Sequence, residues 1–451
     1  MSAIPGDVDA DRQPPMTVPL RQFLVASAFL PLGAVAGVAA AADLRLGLLP
    51  LAHAHLLLVG WVCLTIAGAM TQFVPVWSGV DLHSTRLAAI QLPLIAGGLA
   101  GFAAGLLAGR LALLPLFGAA MLLGFWLFVY NVGRTLARAR PFDTTERHFA
   151  LALGFFVAAT LLGLLLAVGF VRPSVLPVPR PAVVGAHATL AVFGAVLTTV
   201  LGALYQLGTM FTRTELHGID VPLGRFEAFG YPAGVLLLAG GRLVRSATAA
   251  RAGGVLVALA LVAFAVVLAR RLWETQVERT PMLSRYAVVA AATAIWATLA
   301  LPAWLADPLA RSALLGRPGV SHLLLLGVVG FVVLGTVYHV VPFVVWVHRY
   351  SDRLGYEPVP MVDDLYDDRL AAADFWCLLA GTALLVADGL LDLPSAVSMV
   401  GGVAVLAGTV LFVVNVAGVV REHAPQSLLA VLLGSWAGTE SADASPSIEN
   451  D

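Results

Sequence analysis

The stretch LAHAHLLLVGWVCLTIAGAMTQFVPVWSG, residues 51–79, decides how this chain is organised. It is apolar over a length that crosses a bilayer, since a helix rises about 1.5 Å per residue and the hydrocarbon layer is about 30 Å thick. Two histidines, His53 and His55, lie near its start. Ionisable side chains are costly inside a membrane and usually serve a function, so this segment predicts a functional site.

A second copy of the pattern is SHLLLLGVVGFVVLGTVYHVVP, residues 321–342. Counted from His55 and from His322, both copies carry glycine at +5 and +13, a polar residue at +17 and proline at +20. A looser third copy at 185–206 has His187 early and Gln206 late, out of register by about two residues. The matched residues of the first two copies are Gly60 and Gly327, Gly68 and Gly335, Gln72 and His339, and Pro75 and Pro342.

The composition places the whole chain in a membrane. Of 451 residues, 59% are hydrophobic and only 12% charged, which excludes a soluble globular protein and a nucleic-acid-binding one. Both cysteines, Cys63 and Cys377, lie in apolar segments, so a disulfide framework and a CxxC metal site are excluded. Without a CxxCH motif a covalently attached c-type haem is excluded as well.

Twelve apolar segments are long enough to span a bilayer. Lipid offers no partners for backbone polar groups, so we expect each segment to be a helix and the fold to be all-α and polytopic. The segments are 20–43, 51–76, 86–109, 111–134, 148–171, 182–209, 226–244, 253–272, 285–306, 319–346, 371–390 and 396–420.

The three histidine-bearing segments are the second, sixth and tenth, and this spacing by four predicts three pseudo-symmetric four-helix repeats, about 20–140, 147–275 and 284–420. A second marker is Asn131 in LFVYNV and Asn415 in LFVVNV, which end the first and third repeats and predict interhelical hydrogen bonds. We expect a tail at 1–19 and a disordered acidic tail at 421–451.

Most arginines lie in loops on one side of the predicted bundle, which by the positive-inside rule predicts a cell-membrane protein with both termini cytoplasmic. On this topology His53, His55, His187 and His322 lie at one depth near the outer face.

A neutral imidazole is a ligand for haem iron and for copper, and a hydrogen-bonded structural role is the alternative for each histidine. His53 is about 200° round the helix from His55, so it serves either a second site or the outer interface. His187 is either a ligand at a second site or structural, and His339 suits a polar pathway or a hydrogen-bonded pair. Gly60 and Gly327 allow close approach of either a helix or a porphyrin edge.

Five other histidines fall near helix ends, where we expect solvated side chains. Glu227, near the end of the seventh segment, is either a proton-input group or an interfacial carboxylate. The five histidines are His83, His148, His217, His348 and His423.

Twelve helices in three repeats with histidines on the second, sixth and tenth resemble subunit I of the haem–copper oxidase superfamily, which includes terminal oxidases and nitric oxide reductases. In that family histidines of the second and tenth helices hold a low-spin haem, and the matching residues here are His55 (or His53) and His322. The words HAHL, 53–56, and TQFVPVWSG, 71–79, resemble those of the NnrS family of haem- and copper-containing membrane proteins linked to nitric oxide tolerance.

The chain also departs from the oxidase pattern. The seventh segment has no histidine, Ala191 stands where a tyrosine would follow His187, and the chain has no lysine. The tenth has Ser321-His322 in place of a His-x-His pair. The resemblance therefore does not imply oxygen reduction at a standard copper-containing centre.

These features lead to the prediction of a haem-binding membrane oxidoreductase or sensor that handles a small diatomic ligand such as nitric oxide and receives electrons from a membrane or outer-face donor. His55 and His322 are the predicted axial ligands of one haem b, with Gly60 and Gly327 below the ring and Arg317 beside the propionates. Copper, with His187 as a ligand, is a further possibility. The competing hypotheses are a transporter with His187, Gln206 and Glu227 along its path, and a non-catalytic electron-relay or assembly subunit.

Overall fold

The computed structural model describes residues 13–433, which form twelve long helices and one short one. The all-α polytopic fold is thereby confirmed. Most neighbouring helices in sequence are joined by short loops and pack side by side, whereas the connections 307–322 and 350–367 are longer. The helices are α1 Thr17–Ala41, α2 Leu49–Ser78, α3 Thr85–Leu107, α4 Leu114–Leu136, α5 Thr144–Val171, α6 Arg180–Thr212, α7 Asp220–Leu243, α8 Ala247–Trp273, α9 Pro281–Ala306, α10 Leu323–Arg349, α11 Asp368–Leu391, α12 Ser395–His423 and α13 Leu428–Leu433.

Within the described residues, eleven of these helices are long and apolar enough to cross a membrane. The exception among the twelve long helices is α7, which carries the buried charged residues Glu227 and Arg242. It also begins at Asp220, earlier than the predicted 226, because ion pairs stabilise its first turn. The Asp220 carboxylate is fully buried and accepts hydrogen bonds of 2.7 Å from Arg270 and from Arg271 at the end of α8.

The three histidine helices are the innermost elements of the bundle. In the most apolar part of α2, α6 and α10, 78%, 83% and 78% of the residues are buried, whereas the share in the other eight spans is 28% to 61%. The helices around them therefore form the outer, lipid-facing layer. This division follows from the sequence only indirectly, since all twelve segments are apolar.

Each inner helix contains an eight-residue π-helical segment that begins just after its histidines. The segments are Leu56–Cys63 in α2, Leu190–Leu197 in α6 and Leu323–Gly330 in α10. In a π-helix the backbone bonds run from i to i+5, so every polar group keeps a partner while the turn widens. Such segments are rare and are frequent at functional sites. Their shared start supplies a common register for the three helices.

In this register glycine occupies the fifth position of every π segment, at Gly60, Gly194 and Gly327. A Cβ atom at Gly60 would lie 2.6 Å from the Phe29 ring of α1, and one at Gly194 would lie 2.8 Å from the Phe155 ring of α5. At Gly327 it would lie 3.2 Å from Ala292 of α9. These glycines therefore serve close helix packing, the alternative to a porphyrin edge.

A second glycine triplet follows at the thirteenth position, Gly68, Gly202 and Gly335. A Cβ atom at each of these glycines would meet the Cβ atom of Gln22 on α1, His148 on α5 and Arg285 on α9, respectively. Counted from the π segments, the third copy of the pattern is in full register with the other two. The matched contacts of these three helix pairs favour three repeats. That the whole chain consists of three repeats stays a prediction.

Asn131 and Asn415 make the predicted interhelical hydrogen bonds, and they do so at helix starts. Asn131 on α4 accepts from the backbone N–H of Ser84 and donates to its carbonyl, at 2.9 and 2.8 Å. Asn415 on α12 makes the same two bonds to Asp367, also at 2.9 and 2.8 Å. Ser84 and Asp367 are the N-cap residues of α3 and α11. Each asparagine thus fixes where the neighbouring helix begins.

Residues 421–433, which the sequence analysis places in a disordered tail, include the end of α12 and all of α13. Helix α12 continues to His423, and α13 packs on the bundle with Val431 fully buried. The Arg21 guanidinium of α1 donates a 2.7 Å hydrogen bond to the carbonyl of Val431. Residues 1–12 and 434–451, which include most of the two predicted tails, lie outside the described residues.

Gly194→Ala is expected to destabilise the protein by about 1–3 kcal/mol, because the added methyl group overpacks against Phe155. Gly154→Ala is the matched control on α5. A Cβ there meets nothing within 4 Å, and alanine is favoured over glycine in a helix by about 0.5–1 kcal/mol. Thermal unfolding in detergent measures both. An unchanged midpoint for Gly194→Ala would contradict the close packing.

The predicted topology places Arg45 and Arg140 on opposite sides of the membrane. Single cysteines at these positions, introduced after replacement of Cys63 and Cys377 by alanine, should react with an impermeant thiol reagent from opposite faces. Labelling of both from one face would overturn the assignment.

Candidate functional site

The imidazoles near the start of the inner helices are fixed by their backbone contacts. Nδ1 of His53 lies 2.8 Å from the carbonyl oxygen of Gly33, and Nδ1 of His187 lies 2.9 Å from that of Ala159. Nδ1 of His55 lies 2.8 Å from the carbonyl oxygen of Leu51, one turn earlier on the same helix. A carbonyl oxygen only accepts, so each Nδ1 carries the proton and each neutral ring keeps its lone pair on Nε2.

His53 and His187 are structural counterparts. Both lie three residues before their π segments, and both rings rest on a glycine of the preceding helix. A Cβ atom at Gly37 of α1 would lie 2.7 Å from the His53 ring, and one at Gly163 of α5 would lie 3.0 Å from the His187 ring. The third residue at this position is Val320. The offset of about two residues in the sequence pattern arises because His187 matches His53, whereas His55 was used for the count.

His55 and His322 are also counterparts, as the sequence pattern predicts, since each directly precedes its π segment. The equivalent residue of α6 is Thr189. The His55 ring packs against Phe102 of α3, with ring centroids 5.2 Å apart. The two positions before the π segments thus carry four histidines, one threonine and one valine.

The contacts of the rings lead to different helices. The His53 ring lies against α1, the His187 ring against α5, and the His55 ring against Phe102 of α3. Electrostatically, His187 has His55 as a neighbour, and His322 has His53 and Asp388 of α11 as neighbours. The sequence analysis paired His55 with His322. That pairing stays a prediction.

The third combination, Thr189 with Val320, has no imidazole, and both residues are fully buried. Arg242 of α7 joins Thr189 to the loop before α10. Its guanidinium donates 2.7 Å to the Thr189 hydroxyl and 3.0 Å to each of the carbonyls of Ala313 and Leu314, in the loop before α10. A buried guanidinium with all these acceptors fixes α6 to that loop.

The donor atoms near the start of the inner helices are imidazole nitrogens. Within residues 13–433, no group of three or more His, Cys, Asp or Glu side chains could together hold a metal ion. A porphyrin supplies four iron ligands itself and needs only one or two imidazoles. Metal-ligating histidines also commonly donate the other ring N–H to a backbone carbonyl, as His53, His55 and His187 do here. Arg317, the predicted propionate partner, is exposed in the loop before α10.

Near the opposite face, where the arginine-rich loops 134–147 and 270–285 lie, a second polar set is buried. The side chains that touch the second glycine triplet are paired with the third helix of their own predicted repeat. Gln91 of α3 donates to Gln22 at 3.4 Å. Nε2 of His148 lies 3.1 Å from the Glu227 carboxylate of α7, and Arg285 donates to Asp374 of α11.

These three pairs differ in charge. The glutamine pair is neutral and the Arg285–Asp374 pair is ionic, with Tyr338 also donating to the Asp374 carboxylate. His148 donates from Nδ1 to the carbonyl of Thr144 at 2.7 Å, so its pair with Glu227 shares one proton that either partner can hold.

The predictions for these residues need correction. His148, predicted to be solvated, is only 2% exposed, and Glu227 is fully buried instead of interfacial. His339, predicted for a polar pathway, packs its ring against Phe211 with centroids 4.2 Å apart. The sequence signal for the pairs was the glycine at +13, but the side chain that each glycine faces lies on another helix.

The residues of the transporter hypothesis do not share one surface. Gln206 lines a cavity at the arginine-rich face, Glu227 is bonded to His148, and His187 lies at the opposite end of α6. A scan of the chain against models of protein families found no match, and a search of curated proteins found none either.

Asp374→Ala is expected to destabilise the protein by about 3–5 kcal/mol, because it leaves the Arg285 guanidinium buried without its carboxylate. The double variant Arg285→Met/Asp374→Leu removes both charges and should recover most of that loss. Gln91→Leu, at the neutral pair, is the control and should cost less. Denaturant unfolding in detergent measures all three, and equal losses for Asp374→Ala and Gln91→Leu would contradict a buried ion pair.

Proposed function

We propose that this protein is a haem-binding integral membrane protein, redox-active or nitric-oxide-related, in which imidazoles of the inner helices hold the iron. The observation that carries the proposal is the tautomer of the histidines: backbone carbonyls hold the Nδ1 protons of His53, His55 and His187 and leave Nε2 as the ligand atom. His148, by contrast, uses both ring nitrogens in hydrogen bonds within the protein.

The electrostatic neighbours of the imidazoles favour two candidate sites. One would use His53 of α2 with His322 before α10, and the other His55 of α2 with His187 of α6. Each pair would offer a haem b two imidazole ligands, the donor set of a low-spin haem. Bound haem supplies one-electron chemistry and, if one ligand dissociates, a coordination position for a diatomic molecule.

The chain's own contribution is to orient these ligands in a low-dielectric site. The carbonyls of Gly33 and Ala159 fix the ring planes of His53 and His187, and the adjacent glycines let those rings lie flat against the preceding helix. Phe102 supports the ring of His55. Fixed rings raise ligand basicity and keep the two imidazoles of a pair in place. The proposal does not include oxygen reduction.

Single replacement of His53, His55, His187 or His322 by alanine should remove about half of the low-spin haem, measured by reduced-minus-oxidised spectra and haem-to-protein ratio. His83→Ala and His423→Ala, at residues distant from the pairs in sequence, should leave the spectrum intact.

Double variants test the pairing. His55→Ala/His187→Ala changes one site and should lose no more low-spin haem than either single variant. His55→Ala/His322→Ala changes both sites and should lose nearly all of it. The opposite pattern would establish the pair predicted from the sequence, His55 with His322. A preparation that binds no haem even after supplementation would refute the proposal, and metal analysis of the same sample tests for copper.

A further inference from the structure

An apolar cavity of about 70 Å³ lies where the three inner helices meet, on the arginine-rich side of the π segments. Counted from the start of the π segments, most of its wall residues come from the tenth, eleventh and fourteenth positions of each helix. These residues are Thr65, Thr199 and Val332, Ile66, Val200 and Val333, and Ala69, Ala203 and Thr336.

Small side chains at the fourteenth position leave this space open. Ala69, Ala203 and Thr336 are partly exposed although they lie on the most buried helices, which is expected of residues that face a cavity. Equivalent positions on three helices surround the space, so it lies on the central axis of the bundle. Larger residues at any one of them would fill it.

The polar atoms around the cavity are largely committed to the protein. The Thr199 hydroxyl donates to the carbonyl of Ala195 at 2.8 Å, and the Thr336 hydroxyl lies 2.9 Å from that of Tyr286. Among the three threonines of the cavity walls, only Thr65 has a hydroxyl without a hydrogen-bond partner within residues 13–433. A buried water needs two to four polar partners, and apolar cavities stay dry or bind apolar ligands. The volume is about twice the ~30 Å³ that one water molecule occupies in the liquid.

A larger cavity of about 650 Å³ opens at the arginine-rich face, between the ends of α2 and α6 and the start of α5. Trp77 and Phe149 line both this vestibule and the central cavity. Their rings are stacked with centroids 6.2 Å apart, and Phe73 stacks on the other face of Trp77 at 4.9 Å. These two side chains therefore lie where the vestibule and the central cavity adjoin.

We propose that the central cavity binds a small uncharged apolar molecule, of the size of a diatomic gas, and that Trp77 and Phe149 gate its access from the vestibule. The shape, size and apolar walls of the cavity carry this inference. It goes beyond haem binding and does not require it, since the histidine pairs lie on the other side of the π segments.

Xenon is the probe, because it is apolar, is of suitable size and can be located directly. Crystals or detergent-solubilised protein under xenon pressure should hold one xenon atom per chain beside Ala69, Ala203 and Val333, visible by anomalous diffraction or as a saturable ¹²⁹Xe shift. Ala203→Leu fills the cavity and should abolish that site. Ala291→Leu makes the same change at an exposed position of α9 and should leave it unchanged.

Trp77→Ala tests the gate and should speed xenon exchange at least several-fold while the site remains. Folded wild-type protein without xenon in this cavity, or Ala203→Leu with xenon retained, would overturn the binding site. Unchanged exchange in Trp77→Ala would overturn the gate. The haem spectrum of the same samples reports separately on the histidine pairs, so the two proposals can fail independently.

Discussion

The constraint on which the structure depends is the close contact between each inner helix and the first helix of its predicted repeat. Glycines at the fifth and thirteenth positions of the π register leave no room for a methyl group at most contacts. In a bilayer the hydrophobic effect does not drive helices together, so their association depends on close packing. Small residues such as these glycines allow the backbones to approach closely enough for that packing. The π segment lies between the histidines and the second glycine. It widens the turn there, and the residues on its two sides face different neighbours.

The π segments divide each inner helix into two zones. On one side of the π segments the imidazoles point towards the interfaces between helices. On the other side small and β-branched residues surround the central axis and leave a cavity. Neither zone needs a break in the helix, since i to i+5 bonds satisfy the backbone throughout. One local irregularity, repeated three times, thus serves both zones.

The three copies share this frame and differ in chemistry. At the positions before the π segments, α2 carries two imidazoles and the other two inner helices carry one each, and Arg242 joins the threonine of α6 to the loop before α10. In the other zone one buried pair is neutral, one is ionic and one shares a proton. Buried polar groups in a membrane need partners, and each of these three pairs joins two different helices.

The sequence by itself determined the fold class, the number and approximate ends of the long helices, and the identity of the three that matter most. Apolar length and regular spacing suffice for this, because a bilayer permits little else. It also indicated the matched histidines His55 and His322. Only the tertiary structure decided that His187 corresponds to His53, that His148 is buried against Glu227, and that Gly60 and Gly327 receive neighbouring side chains. A single helix reveals which residues share its face, but the partner of that face lies on another helix, and the extra residue in each π turn shifts the face in a way that periodicity does not record.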